Sequence, residues 1–261
     1  MTRSTIESPK IVSQAEWLVA RKKLLAREKE LTHLRDAVSA ERRQLPWVKV
    51  DKDYAFDGPS GKVTLAGLFD GRSQLIVYHF MFGPEWQEGC PSCSFLMDHT
   101  DGALVHLAQR DVSFAAISRA PWPKIEAFQK RMGWRFKWVS SNGSDFNYDY
   151  HVSFKKEEKA KGEVYYNFEM QEFPSEEAPG ISVFYKDKNN DNDIFHTYSS
   201  YARGTETGVG TYSYLDLVPK GRDEDALSFT MAWVRHHDRY TDGRLADPTK
   251  PYWPAQPAAT S

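Results

Sequence analysis

Leu75-Ile-Val-Tyr-His-Phe-Met-Phe82, then a loop from Gly83 to Gly89, then Cys90-Pro-Ser-Cys93, is the stretch whose reading decides the fold. The run is β-branched and aromatic on consecutive positions, which predicts a strand buried on both faces. From Cys90 to Ala108 the apolar residues Phe95, Leu96, Leu104 and Leu107 recur at roughly helical spacing, weakened at Gly102. Pro91 suits a first helical turn, where its missing N–H costs nothing. The two cysteines therefore fall where a central strand hands over to a helix N-terminus.

That position has a chemical consequence. Unpaired N–H groups and the helix dipole favour negative charge, lowering a thiol pKa from about 8.5 to between about 3.5 and 7.5. Cys90 is then the natural nucleophile. Cys93, one turn on and on the same side, is placed to attack a mixed disulfide formed at Cys90.

A chain of 261 residues with 40% hydrophobic and 14% aromatic content can bury a substantial core. A net charge of −2 gives no general reason to expect nucleic acid as partner. No run approaches the roughly 18 apolar residues of a membrane span, and Met1 to Lys10 lacks a signal-peptide core. With two cysteines there is no disulfide framework; a cytoplasmic location is expected, where C-x-x-C is catalytic or metal-binding. Zinc needs about four N/S ligands, and no second such motif exists to supply them; neither metal nor cofactor is expected.

Upstream, residues 1–12 read as a loose arm. Ser13-Gln-Ala-Glu16 is a capping box, and Val12 and Trp17 are spaced as a hydrophobic staple. Trp17, Leu18, Leu24, Leu25, Leu31, Leu34 and Val38 then form the apolar stripe of a long helix ending before Pro46. It either embraces its own domain or packs on a second subunit as a homodimer. A hairpin turn is expected at Asp57-Gly-Pro-Ser-Gly61, and a short helix or turn at Leu65 to Gly71.

Downstream, Val112 to Ser118 reads as a second buried strand, ending at Arg119. A helix follows from Lys124 to Met132 with Gly133 at its end, then a short strand from Phe136 to Val139. This order predicts a parallel α/β layer with right-handed crossovers. Lys155 to Lys159 reads as a solvated face. Ile181 to Lys186 and Ile194 to Tyr201 pair as an antiparallel hairpin. A last helix is expected from Asp223, with Leu227, Met231 and Val234 inward and His236-His237 near its end; the tail from Asp247 is expected to be loosely held. The expected organisation is 1–46 for the arm and long helix, 47–202 for the central domain and 203–261 for an extension packed on it.

Over about residues 48 to 200 this order resembles the thioredoxin fold. More closely, the chain resembles a bacterial thioredoxin-like family, domain of unknown function 899, assigned a dithiol–disulfide oxidoreductase activity by similarity. The residues that carry this are Phe82-Gly-Pro-Glu-Trp86, Gly89-Cys-Pro-Ser-Cys-Ser94, Ile117-Ser-Arg-Ala-Pro121, Gly133-Trp134, Tyr214-Leu-Asp216, Pro219-Lys-Gly-Arg-Asp223 and Trp233-Val-Arg-His-His-Asp-Arg239.

The resemblance implies an α/β, thioredoxin-like (peroxiredoxin-like variant) central mixed sheet, flanked by helices, with a C-terminal helical extension. It implies a redox pair at Cys90 and Cys93. It also implies a cis proline at Pro179 lying against that pair, a protein or small-molecule disulfide as substrate, and an external dithiol as electron donor. Two departures stand out: Gly89 replaces the Trp that thioredoxin carries before its first Cys, and no match is evident for its buried acid. Peroxiredoxins place Thr or Ser three residues before their Cys and Pro seven before; Gln87 and Gly83 stand there, with Pro84 one place off. A peroxidase and a non-enzymatic redox sensor are therefore the alternatives to a dithiol oxidoreductase. Arg119, at a strand's carboxyl end, is the candidate to tune the Cys90 thiolate or bind an anionic substrate. Trp86 is the candidate apolar lid. His79 is expected as a hydrogen-bonded core residue.

Overall fold

The computed structural model describes residues 9–188 and 192–241; the first eight residues of the arm and the tail from Asp247 lie outside them. Ser13 caps the first helix, α1 (Gln14–Arg42): its side chain accepts from the Glu16 N–H and Glu16 returns to the Ser13 N–H, a complete capping box. None of the 29 residues of α1 is buried.

The chain then enters the sheet through β1 (Val48–Lys49), β2 (Ala55–Gly58) and β3 (Gly61–Thr64), the last two joined as the expected hairpin. After the single turn α2 (Leu65–Leu68) comes β4 (Gln74–His79), whose extended backbone runs on through Phe82, the Phe80 N–H donating to Ile117 and the Ala120 N–H to the Phe82 carbonyl.

The helix after the C-x-x-C motif, α3 (Pro91–Thr100), breaks into a 3-10 turn at Asp101–Ala103, where Gly102 stands, and resumes as α4 (Leu104–Ala108). Next come β5 (Val112–Ser118), α5 (Trp122–Met132) and β6 (Lys137–Ser140). Gly133 closes α5 at φ +69°, the left-handed cap that glycine adopts without steric cost.

Short helices α6 (Phe146–Asp149) and α7 (Lys156–Lys159) precede a two-stranded ribbon, β7 (Val164–Tyr166) with β8 (Glu169–Gln171). The hairpin β9 (Gly180–Lys186) and β10 (Ile194–Tyr201) follows, then a 3-10 segment at Ala202–Gly208 and α8 (Gly210–Leu215).

Among the described residues the main sheet has eight strands in the order β1-β10-β9-β4-β5-β6-β2-β3. β4, β5 and β6 run parallel, and β9 returns antiparallel beside β4. This is the thioredoxin-like arrangement of a central mixed sheet flanked by helices. Alternation along β4 separates two cores. Tyr78, Phe80 and Phe82 join Cys93, Phe95, Phe128 and Trp138 on the face covered by α3 and α5. Leu75 and Val77 join Phe56, Phe146 and Phe184 on the other.

The helix expected from Asp223 does not form. Asp223 and Met231 have positive φ values of 53° and 67°, which a helix cannot contain. The Glu224 carboxylate organises the segment instead, accepting from the Tyr212 hydroxyl, the Met231 N–H and the Trp233 indole N–H. Among the described residues the helical parts of the C-terminal extension are α8, the 3-10 segment before it and a 3-10 turn at His237–Arg239.

Candidate active site

Cys90 is the N-cap of α3 and Pro91 its first residue. The loop leading to it is pinned from several elements. The Cys90 N–H donates to the Met81 carbonyl at 3.0 Å. Lys124 Nζ, from α5, donates to the carbonyls of Pro84 and Trp86. His236 Nε2, from the C-terminal extension, donates to the Gly89 carbonyl at 2.8 Å. Gly89 is required by packing: a Cβ there would stand 2.6 Å from the Phe80 ring and 2.9 Å from that of Phe128. The departure from thioredoxin noted above thus has a steric cause.

Both thiols are free. Cys90 is half-buried and Cys93 fully buried. The Cys93 thiol donates to Cys90, and the N–H groups of Cys93 and Ser92 and the Ser92 hydroxyl add to this. Together they outweigh burial and lower the Cys90 pKa to about 7. Burial drives Cys93 the other way, well above the ordinary thiol range. One sulfur is therefore poised as thiolate at neutral pH, and the other holds its proton against it.

Beneath the pair lies Tyr78, from β4, 2% exposed, with its hydroxyl hydrogen-bonded to the Cys93 sulfur. The sulfur also receives the Met81 N–H. Sequence reading missed this tyrosine, although the two-residue alternation that puts Phe80 and Phe82 under α3 puts Tyr78 there too.

The sulfurs open into a cavity of about 250 Å³, lined by Tyr78, Met81 and Pro179 and, from the C-terminal extension, by Tyr212 and Met231. Pro179 lines the same cavity as the two cysteines, and the Ala178–Pro179 bond is trans where the resemblance implied cis, because no described peptide bond is cis. Its carbonyl accepts from the Tyr166 hydroxyl at 2.7 Å, and Tyr166 in turn accepts from the Ala202 N–H.

Three other candidates are placed differently. Trp86 lies across Gly83, where an added Cβ would sit 2.9 Å from its indole nitrogen, and it does not line the thiol cavity. Arg119 is committed to Glu177, with Nε 2.7 Å from Oε1, and to the Tyr148 hydroxyl and ring. Glu177 is 1% exposed and also accepts from Ser153, so sequence reading overlooked a buried acid. Glu88 turns to Arg131 and Arg239.

His236 and His237 do not end a helix: His236 holds Gly89, and His237 Nδ1 meets Asp98 of α3 at 2.7 Å. Among the described residues no group of three His, Cys, Asp or Glu side chains gathers as a metal site. His79 bonds Ser182 at 2.8 Å within the opposite core.

A mixed sheet with a C-x-x-C pair at the helix after its central strand defines a thioredoxin-like α/β protein. The chain belongs to the family described as bacterial proteins of unknown function (DUF899), whose model matches residues 6–240.

No curated protein matches the chain. Solved structures similar to it include peroxidoxin BcpB from Mycobacterium tuberculosis, at 12% identity, covering 64% of this chain and 95% of that one, with TM-score 0.43. Peroxiredoxin Q from Xanthomonas campestris is similar at 10% identity, 68% and 99% coverage and TM-score 0.43. The mitochondrial 2-Cys peroxiredoxin from Plasmodium falciparum is similar at 12% identity, 65% and 92% coverage and TM-score 0.39. Likeness this distant says nothing of chemistry, which has to come from the chain's own residues. Among the described residues no helix is long and apolar enough to cross a membrane.

Proposed function

We propose that the protein is a thiol–disulfide oxidoreductase in which Cys90 attacks and Cys93 resolves. The observation that carries the reading is the asymmetry of the pair: a half-buried thiol at a helix N-terminus with a pKa of about 7, beside a fully buried one with its pKa raised. The Cys90 thiolate attacks one sulfur of a substrate disulfide, forming a mixed disulfide and expelling the other sulfur as a thiolate. Cys93 loses its proton and attacks the Cys90 sulfur. The substrate leaves as a dithiol, and the Cys90–Cys93 disulfide holds the two oxidising equivalents until an external dithiol reduces it.

The cavity, with Pro179 on its wall and the Arg203–Glu206 pair among its lining residues, suits an extended segment carrying the disulfide. No bound cofactor takes part in these steps. The peroxidase alternative is less well served, because Gln87 and Gly83 stand where peroxiredoxins place Thr or Ser and Pro before their Cys.

Turnover of insulin disulfides by the reduced protein with a dithiol donor tests the reading. Wild type should turn over, and Cys90→Ser should be inactive. Equal activity in Cys90→Ser, or rapid peroxide consumption without disulfide reduction, would overturn it.

A further inference from the structure

The long first helix has a periodicity that its own fold does not use. Trp17, Leu24, Leu31 and Val38 recur every seven residues, and each is between 43% and 55% exposed. A repeat of seven is the signature of a helix whose apolar seam faces another helix, because slight supercoiling keeps every seventh residue on one line. Leu18, Leu25 and Leu34 widen the seam and are exposed as well. At 1.5 Å per residue, α1 reaches about 44 Å, yet no side chain of it enters either core.

We propose that this seam pairs with the same helix of a second copy of the chain, as a parallel, in-register coiled coil. Two features select that occupant and that direction.

With the sevenfold positions taken as a, the flanking g positions are Glu16, Lys23, Glu30 and Ala37, and the e positions are Arg21, Glu28, Arg35 and Arg42. In a parallel pair each g residue faces the e residue five places later on the other helix. Glu16 then meets Arg21 of the second copy, Lys23 meets its Glu28, and Glu30 meets its Arg35. These three pairs are of opposite charge, and the fourth sets the neutral Ala37 against Arg42. Within the single chain Arg21 Nη2 is held by Glu28 of its own helix.

The second feature is the seam itself. The d positions are Ala20, Arg27, Leu34 and Glu41. A parallel pair sets a against a, stacking Trp17, Leu24, Leu31 and Val38 on their own counterparts. It also sets d against d, where Arg27 and Glu41 meet their own counterparts and their long side chains turn out to solvent. An antiparallel pair sets a against d, opposing two of the four apolar a residues directly to Arg27 and Glu41.

The test uses the full chain. Light scattering at micromolar concentration should give twice the 30.0 kDa chain mass. Leu24→Glu with Leu31→Glu should give a monomer whose Cys90 alkylation rate is unchanged, because neither residue touches the core or the thiols. Separately, Trp17→Cys and Leu31→Cys are each placed in a Cys90→Ser, Cys93→Ser background and oxidised. Parallel pairing in register joins both positions to themselves across the dimer. An antiparallel pair can join at most one of them, since the sites are about 21 Å apart along the helix. A monomeric wild type, a dimer that survives the two glutamates, or cross-linking at fewer than both positions would overturn the proposal.

Discussion

The Tyr78 hydroxyl hydrogen-bonds the Cys93 sulfur from the strand beneath it. Cys93 is the thiol that must shed its proton before it can resolve a mixed disulfide, and burial opposes that loss. A hydroxyl that donates to the developing thiolate offsets part of the opposition. Hydrogen bonds to charged groups contribute about 1.5–3 kcal/mol, and 1.4 kcal/mol is about tenfold. Tyr78→Phe should therefore slow resolution at Cys93 by about 10- to 100-fold while leaving the first attack by Cys90 unchanged. Stopped-flow reduction of a model disulfide separates the two phases. Equal slowing of both would make Tyr78 a packing residue only.

The Cys90 thiolate depends first on the Cys93 thiol as hydrogen-bond donor, ahead of the Ser92 and Cys93 N–H groups. In wild type the rate of Cys90 alkylation should rise with pH through a midpoint of about 7. Cys93→Ala removes the leading donor, so its midpoint should move up toward the ordinary thiol value of about 8.5. Alkylation at pH 7 should fall several-fold. An unmoved midpoint would assign the low pKa to the helix terminus alone.

Much of this site was legible in the sequence, because it is local. The buried strand, the loop and the C-x-x-C helix start lie within Leu75 to Asp98 and follow from side-chain type and spacing. What stayed hidden depends on partners distant in the chain. Glu177 sits 58 residues beyond Arg119, and His236 reaches Gly89 across 147 residues. Leu227, Met231 and Val234 have helical spacing, yet the segment folds around Glu224, whose partners no periodicity announces. The seam of α1 was visible as a stripe; that none of it is buried could come only from the fold.

Arg119 and Glu177 form a largely buried ion pair, 14% and 1% exposed at the side chain. Removing one member of such a pair leaves the other charge without compensation, at a cost of about 3–5 kcal/mol. Arg119→Ala should lower denaturant stability by that order, and Arg119→Met with Glu177→Gln should recover most of it. The Cys90 alkylation midpoint should stay in place in both variants if the arginine serves the fold. A rise in the midpoint for Arg119→Ala would return it to the role of tuning the thiolate.

The clamp between the C-terminal extension and α3 is titratable. Asp98 hydrogen-bonds His237 and raises its pKa, with Asp238 adding and Arg131 and burial opposing. A histidine whose pKa is raised on folding contributes stability that is fully present below its unfolded value, about 6.5. That contribution is lost as pH rises through the folded value. Because His236, next in sequence, holds the Gly89 carbonyl beside Cys90, loosening the clamp also frees the loop that presents the thiol. Limited proteolysis between Val234 and Arg239 should therefore accelerate from pH 6 to pH 8 in wild type, beyond the pH effect on the protease itself. In His237→Gln, cleavage at pH 6 should already match the faster rate, and the pH dependence should flatten. A wild-type rate that is flat with pH would mean that Arg131 and Asp238 hold the segment without the imidazolium.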